Sequence, residues 1–564
     1  MKYVGKIRNI PHGKTFGFIH SQSDGSDYFF HSSQFSGIWD TLRTGDGVQF
    51  ELVEKGGRPQ AICVEPLPGT PNRAPRKFGP YLGPNLGLSD EVREKCLGDI
   101  ARWKLEAKLD DVKRYFFAIP ELNDIATGDA SYVIGRKGTG KTALVQYLAE
   151  TSDSNRLVSK LTFKNFPFNE LYAQENESYR RPNQYITIWK LIIYSSVCKL
   201  IAQSTKCDPL VRDTILKAFP NPDSDNLGTI VGKWIAGDFG ISVLGTGINI
   251  SKWFKEKKKI TIQEKVENLE QFVVKHMPNQ TFLVLFDELD EDYKNIFETY
   301  NKSEYLDLLT SLFKAVQDVR SIVTTKGHKL YPVVFLRDDI YDLLQDPDKN
   351  KWRDFEVDLE WTPESIKGLL SHRLAKVVGQ NDEDFDILWY SLFSREAVTF
   401  SGGKKTTSSF EYITMSTQGR PRDYINYLQE CAALELKRSR REISIETIRD
   451  ADKLYSNYLR KELIDEIHGI IPDIGKVLAI FSETRKWILS ISEFRKAYEE
   501  RAQVGAVQIK DVDMILKTLF YFSIIGNVAK VGVHIFRHVR PEAEFNFKEK
   551  IVVHRGLMKS LQII

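Results

Sequence analysis

The chain has 564 residues, enough for about three or four domains. It is 42% hydrophobic and 27% charged, which excludes a disordered or low-complexity class. Against 79 basic residues stand 76 acidic ones, so nucleic-acid affinity must rest on local sites and not on bulk charge.

Residues 1–66 show short apolar runs separated by turn clusters such as His12-Gly13 and Ser23-Asp-Gly-Ser26. Alternation puts Phe16 and Phe18 on one strand face, and Phe29 and His31 on one face of the next. Rings on an exposed face stack unpaired bases, whereas the same rings turned inward would fill a small barrel. Gly17 as a gap, and Ile19 and Phe30 as spare core residues, favour the outward reading. The stretches Gly5-Lys-Ile-Arg8, Phe16-Gly-Phe-Ile19, Asp27-Tyr-Phe-Phe-His31, Gly45-Asp-Gly-Val-Gln-Phe50 and Ala61-Ile-Cys-Val64 resemble a cold-shock domain. That resemblance implies a five-stranded OB-type barrel that binds single-stranded RNA or DNA. It also implies Lys6, Arg8, Lys14, Phe16, Phe18, Phe29 and His31 as the binding residues. Where the family usually carries Trp-Phe after the first strand's basic residue, this chain has Asn9-Ile10, so stacking rings are lost. Acids and bases in residues 1–66 balance at seven each, which points to binding led by stacking.

Residues 67–86 are rich in proline and glycine and read as an extended linker. A helical pattern is expected from Ser89 to about Phe117. The apolar run Ser131–Ile134 then enters Gly135-Arg-Lys-Gly-Thr-Gly-Lys-Thr142, and Ala143–Glu150 leaves it as a helix. This strand–loop–helix setting marks a P-loop: Gly135, Arg136, Lys137, Gly138, Thr139 and Gly140 offer backbone N–H groups to phosphate. Lys141 is expected on the β- and γ-phosphates, and Thr142 on Mg²⁺. Strands are expected at Val158–Phe166, and a long helix at Tyr185–Gln203. Residues Thr229–Ile250 read as a hairpin insertion, and Lys252–Lys259 as a basic, solvated helix start.

The run Thr281–Phe286 ends in Asp287 and Glu288, as a buried parallel strand with acids at its C-terminal edge. Asp287 is the candidate for the Mg²⁺ shell, and Glu288 the candidate to polarise the attacking water. A further buried strand, Tyr331–Leu336, leads to Arg337, placed to sense the γ-phosphate with Asp338 as its orienting partner, or else a surface arginine in a salt bridge with Asp339. Gly419-Arg420-Pro421-Arg422 opens a later helix, from which Arg420 or Arg422 would approach the phosphates. The expected ligand is ATP with Mg²⁺, since no guanine-selective Asn-Lys-x-Asp motif is present.

Together these motifs make residues 87–560 similar to the STAND and origin-recognition-like branch of AAA+ and P-loop ATPases. The expected architecture is an N-terminal OB-type β-barrel at 1–66, a linker at 67–86 and a central α/β P-loop NTPase with a parallel sheet at 87–360. A helical lid at 361–442 and a winged-helix-like domain at 443–564 complete it, with a helix to Ile525, a turn at Gly526-Asn527 and strands at Val533–Val539, Phe545–Phe547 and Ile551–Val553. The resemblance implies an ATP-driven conformational or oligomeric switch responsive to single-stranded RNA or DNA, set in bacterial anti-phage defence. The alternatives are a DNA replication or repair ATPase and a non-hydrolysing scaffold. A homo-oligomer or an effector protein is the expected protein partner. The five cysteines (Cys63, Cys96, Cys198, Cys207, Cys431) form no C-x-x-C pair and read as reduced thiols. No signal peptide and no apolar stretch near 18 residues is evident, so a cytoplasmic protein without a membrane partner is expected.

Overall fold

A computed structural model describes residues 2–9, 16–31, 34–36, 42, 44–55, 58–67, 80–163, 183, 185–219, 262–290, 301–380, 384–400, 405–505, 507, 511–530 and 533–563. Lys14, most of the linker, the Thr229–Ile250 insertion and the Lys252–Lys259 segment lie outside the described residues. The chain divides into two compact units, one of residues 1–82 with 395–412, the other of 83–394 with 413–564.

The first unit holds a closed barrel of β1 (Tyr3–Asn9), β2 (Phe16–Ser21), β3 (Asp27–His31), β4 (Gly47–Lys55) and β5 (Arg58–Pro66), in the order β1-β2-β3-β5-β4. The pleat decides which residues fill it. Ile7, Ile19, Phe30, Val48, Phe50 and Val64 are all buried in one cluster, and their neighbours in sequence point outward. The same unit carries a two-stranded ribbon, β11 (Val398–Phe400) with β12 (Lys405–Thr407).

The second unit is built on a parallel sheet of β6 (Tyr132–Ile134), β7 (Arg156–Thr162), β8 (Thr281–Asp287), β9 (Lys329–Leu336) and β10 (Glu356–Asp358). Its order is β10-β6-β9-β8-β7, which sets the P-loop strand beside β9 and one strand away from the acidic strand β8. Both faces of β8 are covered. Phe282, Val284 and Phe286 pack into one cluster with the helices Ile186–Gln203, Ile262–His276 and Asn301–Thr325. Leu283 and Leu285 face the other cluster, with α3 (Glu121–Thr127) and α4 (Lys141–Glu150). That two-sided burial is why the strand reads as an unbroken apolar run. Helix Ile186–Gln203 matches the expected helix to one residue; contrary to the expectation of no apolar stretch near 18 residues, it has 18 with mean hydropathy 1.3, and 83% of it is buried. It is the core helix of this cluster, and its Trp189 Nε1 donates to Leu308 O at 2.8 Å.

Several expected elements differ. The helical pattern from Ser89 stops at Ala101, giving α1 (Asp90–Ala101), and a turn-rich stretch separates it from the short α2 (Val112–Tyr115). β7 runs from Arg156 to Thr162, and the expected end at Phe166 lies outside the described residues. Near the C-terminus Gly526 and Asn527 lie inside β14 (Ile525–Lys530), not in a turn. The chain turns earlier, at Phe522-Ser523, where Ser523 takes φ +54°. Asn527 is buried there, donating to Asn546 O at 2.9 Å. Residues 545–547 form no strand; β13 (Ile488–Leu489), β14, β15 (Val533–Ile535) and β16 (Lys550–Val553) make the sheet β13-β16-β14-β15. Helices Ile474–Thr484, Ile491–Gln503 and Val512–Tyr521 precede its main hairpin.

Candidate functional site

β6 is wholly buried, and the chain leaves it at Gly135, whose N–H bonds Leu336 O of β9 at 3.2 Å. The loop closes on itself: Thr139 Oγ1 donates to Arg136 O at 2.8 Å. Gly138 and Gly140 take φ +87° and +103°, a backbone region that only glycine enters without strain. Gly140 is the N-cap of α4, so the helix begins at Lys141 with its N-terminal amides turned to the loop's concave side. Lys141 Nζ donates to Gly135 O at 2.6 Å and to Arg136 O at 3.0 Å. Burial draws the Lys141 ammonium down from its ordinary value, while Asp290 and Asp338 pull it back.

Across the loop, Thr142 Oγ1 donates to Asp287 Oδ1 at 3.4 Å. Asp287 Oδ2 is buried with no hydrogen-bond partner. Burial, reinforced by the neighbouring Glu288, pushes the Asp287 carboxyl up to about 6. A buried carboxylate oxygen left open beside a hydroxyl is the donor set a hard divalent cation takes, so Thr142 and Asp287 fit Mg²⁺. Glu288 follows with φ +60°, the left-handed region that a glutamate enters only under restraint. Its Oε1 accepts from Lys108 Nζ at 2.6 Å, and its Oε2 is buried without a partner.

Arg337 caps the short helix after β9, and its guanidinium lies bidentate on Asp339 at 2.9 and 2.7 Å, with Asp290 at 3.4 Å. Burial alone would lower the Arg337 guanidinium; Asp339, Glu466 and Asp290 outweigh it and hold it well above its ordinary value. The orienting acid is therefore Asp339, not Asp338. The bidentate geometry explains why: Asp339 sits one position further along the helical turn, within reach of two guanidinium nitrogens.

Helix Pro421–Lys437 brings the next two arginines to the loop. Arg420 is its N-cap residue and is buried; it bonds Asp423 at 3.0–3.2 Å, Glu466 at 3.4 Å and Lys137 O at 3.3 Å. Arg422 is half-buried, bonds Glu462 at 3.2 Å, and its Cβ stands 3.3 Å from where a Cβ on Gly138 would lie. Lys137 reaches the same Glu462 at 3.5 Å. Arg136 Nη2 donates to Gln418 Oε1 at 2.6 Å, and Gln418 Nε2 in turn donates to Phe522 O and Ser523 O at 3.0 and 3.2 Å. Trp361 Nε1, at the head of helix Pro363–Val378, donates to Thr139 O at 2.9 Å.

A cavity of about 620 Å³ unites most of these groups. Its lining includes Lys137 to Leu144, Asp287, Glu288, Asp290, Arg337 and Arg422. It also includes Lys104–Lys108, Asp110, Tyr115–Phe117, Leu369 and Arg373, none of which the sequence marked. The volume suits a nucleotide. Lys108, Asp110, Asp290, Arg373, Gln418, Glu462 and Glu466 were missed because each owes its place to tertiary contact, not to a local motif.

In the barrel, Lys6 and Arg8 on the outward face of β1 and His31 on that of β3 are exposed, and Phe16 and Phe18 of β2 and Phe29 of β3 lie partly exposed on the same side. Pairing of Phe18 with Phe29 and of Phe16 with His31 sets the rings side by side. Phe29 lies 5.5 Å from Phe16 and 6.0 Å from Phe18, and Phe16 lies 6.1 Å from Phe18. Ile19 and Phe30 fill the core, so the aromatic trio is free of that duty. Arg8 is ion-paired with Asp27, whose other oxygen meets His20 Nδ1 at 2.9 Å.

Residues 3–67 match the family model described as 'Cold-shock' DNA-binding domain, and residues 364–464 the one described as FunZ-associated C-terminal helical domain. The chain thus has an N-terminal cold-shock domain, followed by an α/β P-loop NTPase core. It is also similar to a putative transposon gamma-delta 80.3 kDa protein of Escherichia coli (strain K12), at 22% identity over 462 residues and 76% of this chain. The chain spans 62% of that relative's length. Among solved structures, the ORC2 protein of Aeropyrum pernix in ADPNP-ADP complexes aligns at 12% identity, covering 85% of this chain and 94% of that one, with a TM-score of 0.35. The ORC1 protein of the same organism in complex with DNA aligns at 12% identity, covering 83% and 95%, with a TM-score of 0.32.

Proposed function

We propose that this protein is a nucleic-acid-responsive ATPase, in which single-stranded RNA or DNA on the cold-shock barrel is coupled to an ATP-dependent switch. The observation that carries the reading is the meeting of Thr142, Asp287 and Glu288 on one wall of the P-loop cavity. Loop amides and Lys141 receive the triphosphate, with Arg337 and Arg422 in the same cavity to bear on its outer oxygens. Thr142 and Asp287 would hold Mg²⁺, which supplies charge neutralisation across the phosphates when bound. Glu288 is held through Oε1 by Lys108, which leaves Oε2 to accept a proton from water. The outward rings of Phe16, Phe18 and Phe29 are the surface for unpaired bases.

Coupling demands that the barrel's ligand bind the two nucleotide states with different free energies, and the effect must be reciprocal. The test is the ATPase rate of the full chain alone and with single-stranded RNA, single-stranded DNA and duplex. A few-fold change with single strands supports the reading. An unresponsive ATPase, with single-strand affinity identical in ADP and a non-hydrolysable ATP analogue, reduces the barrel to a tether. Anti-phage defence is the cellular setting we assign to the switch. Loss of protection against phage plaques in cells carrying Glu288→Gln in place of the wild type is its test.

A further inference from the structure

The lining of the nucleotide cavity includes a buried polar pair that phosphate chemistry does not use. Arg373, on helix Pro363–Val378, is 4% exposed. Its guanidinium lies between two rings, 4.7 Å from Trp103 and 4.6 Å from Tyr115. Nη1 donates to Asp110 Oδ2 at 2.9 Å. Nε and Nη2 are buried with no hydrogen-bond partner. An unpaired buried guanidinium donor is costly, and structures keep such groups where a ligand completes them. Asp110, Tyr115 and Arg373 all line the same cavity as the P-loop. So do Phe117 and Leu369, the apolar neighbours that the flat faces of a base would need.

We infer that Asp110 and Arg373 form the base-reading end of the nucleotide site and select adenine. This rests on the reading of the cavity as a nucleoside triphosphate site. One oxygen of Asp110 is taken by Arg373 Nη1, so the carboxylate has a single oxygen left to accept with. Beside it, Arg373 has donors to give. One acceptor next to one donor complements adenine, whose 6-amino group donates while the adjoining ring nitrogen accepts. Guanine reverses that order, with its 6-oxo group accepting and N1–H donating, and adds a 2-amino donor that would be left buried and unpaired. A site built on hydrogen bonds rejects ligands that leave its groups unsatisfied far more strongly than an apolar pocket does.

The test is equilibrium binding of ATP, GTP, purine riboside triphosphate and inorganic tripolyphosphate to the full chain and to Arg373→Met. The wild type should bind ATP at least about ten-fold tighter than GTP or purine riboside triphosphate, which lacks the 6-amino donor. Arg373→Met should lose about ten-fold in ATP affinity and keep its affinity for tripolyphosphate, which has no base. Equal losses for ATP and tripolyphosphate would mean that Arg373 only ties the lid helix down, and would overturn the inference. So would an unchanged ATP affinity, or a wild type that binds purine riboside triphosphate as tightly as ATP. The wild-type comparison stands even where the variant fails to fold. A wild type that binds tripolyphosphate but shows no preference among bases defeats this inference alone; one that binds no triphosphate at all defeats the ATPase reading with it.

Discussion

On the proposed reading the cold-shock barrel and the P-loop cavity both hold nucleotides, and they are made in opposite ways. The barrel places three rings on the outer face of two paired strands, and every one of them is within 16 residues of the others. The cavity draws Lys108, Lys141, Glu288, Arg337, Arg373 and Arg422 from across the second unit; Arg337 and Arg373 sit in buried ion pairs, Lys108–Glu288 and Arg422–Glu462 in partly exposed ones, and Lys141 on backbone carbonyls. Rings tolerate many bases because every base has a π-face. Buried charges tolerate few ligands, since each must be matched. The difference teaches where precision is held: in the cavity it lies in the supporting acids, and in the barrel it lies in the pleat.

The largest expected effect breaks the catalytic half of that comparison. Glu288→Gln should retain ATP binding and lose about 10²–10⁴-fold in turnover, the ordinary range for removing a general base. Turnover at the wild-type rate, measured by phosphate release, would take the role away from Glu288.

Next comes the supporting acid network. Arg420 sits on Asp423 and Glu466, which are 0% and 4% exposed. Arg420→Ala leaves both acids buried without their main partner and should destabilise the second unit by about 3–5 kcal/mol. Arg422, two residues on, is half-exposed and pairs only with Glu462. Its alanine variant should cost about 0–1 kcal/mol. Urea unfolding followed by fluorescence reads this directly, since Trp189, Trp352 and Trp389 are fully buried in that unit. Similar midpoints for the two variants would show that burial does not separate the arginines.

These cases also show what the sequence made legible. A P-loop is contiguous, so Gly135–Thr142 could be read in full, and Asp287-Glu288 stood out at the end of an apolar run. The barrel's outward rings followed from alternation alone. Lys108 could not be found this way. It lies 180 positions from Glu288, in a stretch where a continuous helix was expected. The chain breaks after Ala101, and that break lets residues 104–108 line the cavity. For Arg337 the sequence offered Asp338 and Asp339 both, and side-chain reach around the helical turn decides for Asp339. In the C-terminal sheet a Gly-Asn pair suggested a turn, yet Asn527 spends its amide inside the fold on Asn546.

On the barrel side, Phe18→Ala and Phe29→Ala should each weaken single-strand binding by about 1–3 kcal/mol, the usual worth of one base stack. Both residues are outward, so the fold of residues 2–67 should survive, as circular dichroism would report. An affinity for single strands unchanged in a variant lacking all three rings would remove the platform.

The smallest effect sharpens the contrast between stacking and charge. Each phosphate neutralised on a single strand contributes a slope of about −0.7 to log K against log salt. The platform's outward face offers Lys6 and Arg8, and Arg8 is already ion-paired with Asp27. Asp27 is itself shared with His20 at 2.9 Å. One to two phosphate contacts are therefore expected, with a slope of about −0.7 to −1.4. Lys6→Gln should flatten it by about 0.7. Asp27→Asn should do the reverse: it frees the Arg8 guanidinium for phosphate, steepens the slope by about 0.7 and tightens binding at low salt. A wild-type slope near about −4 would instead mean some six phosphate contacts. The barrel would then hold its strand by charge, as the P-loop holds its phosphates, and the two regions would no longer differ in kind.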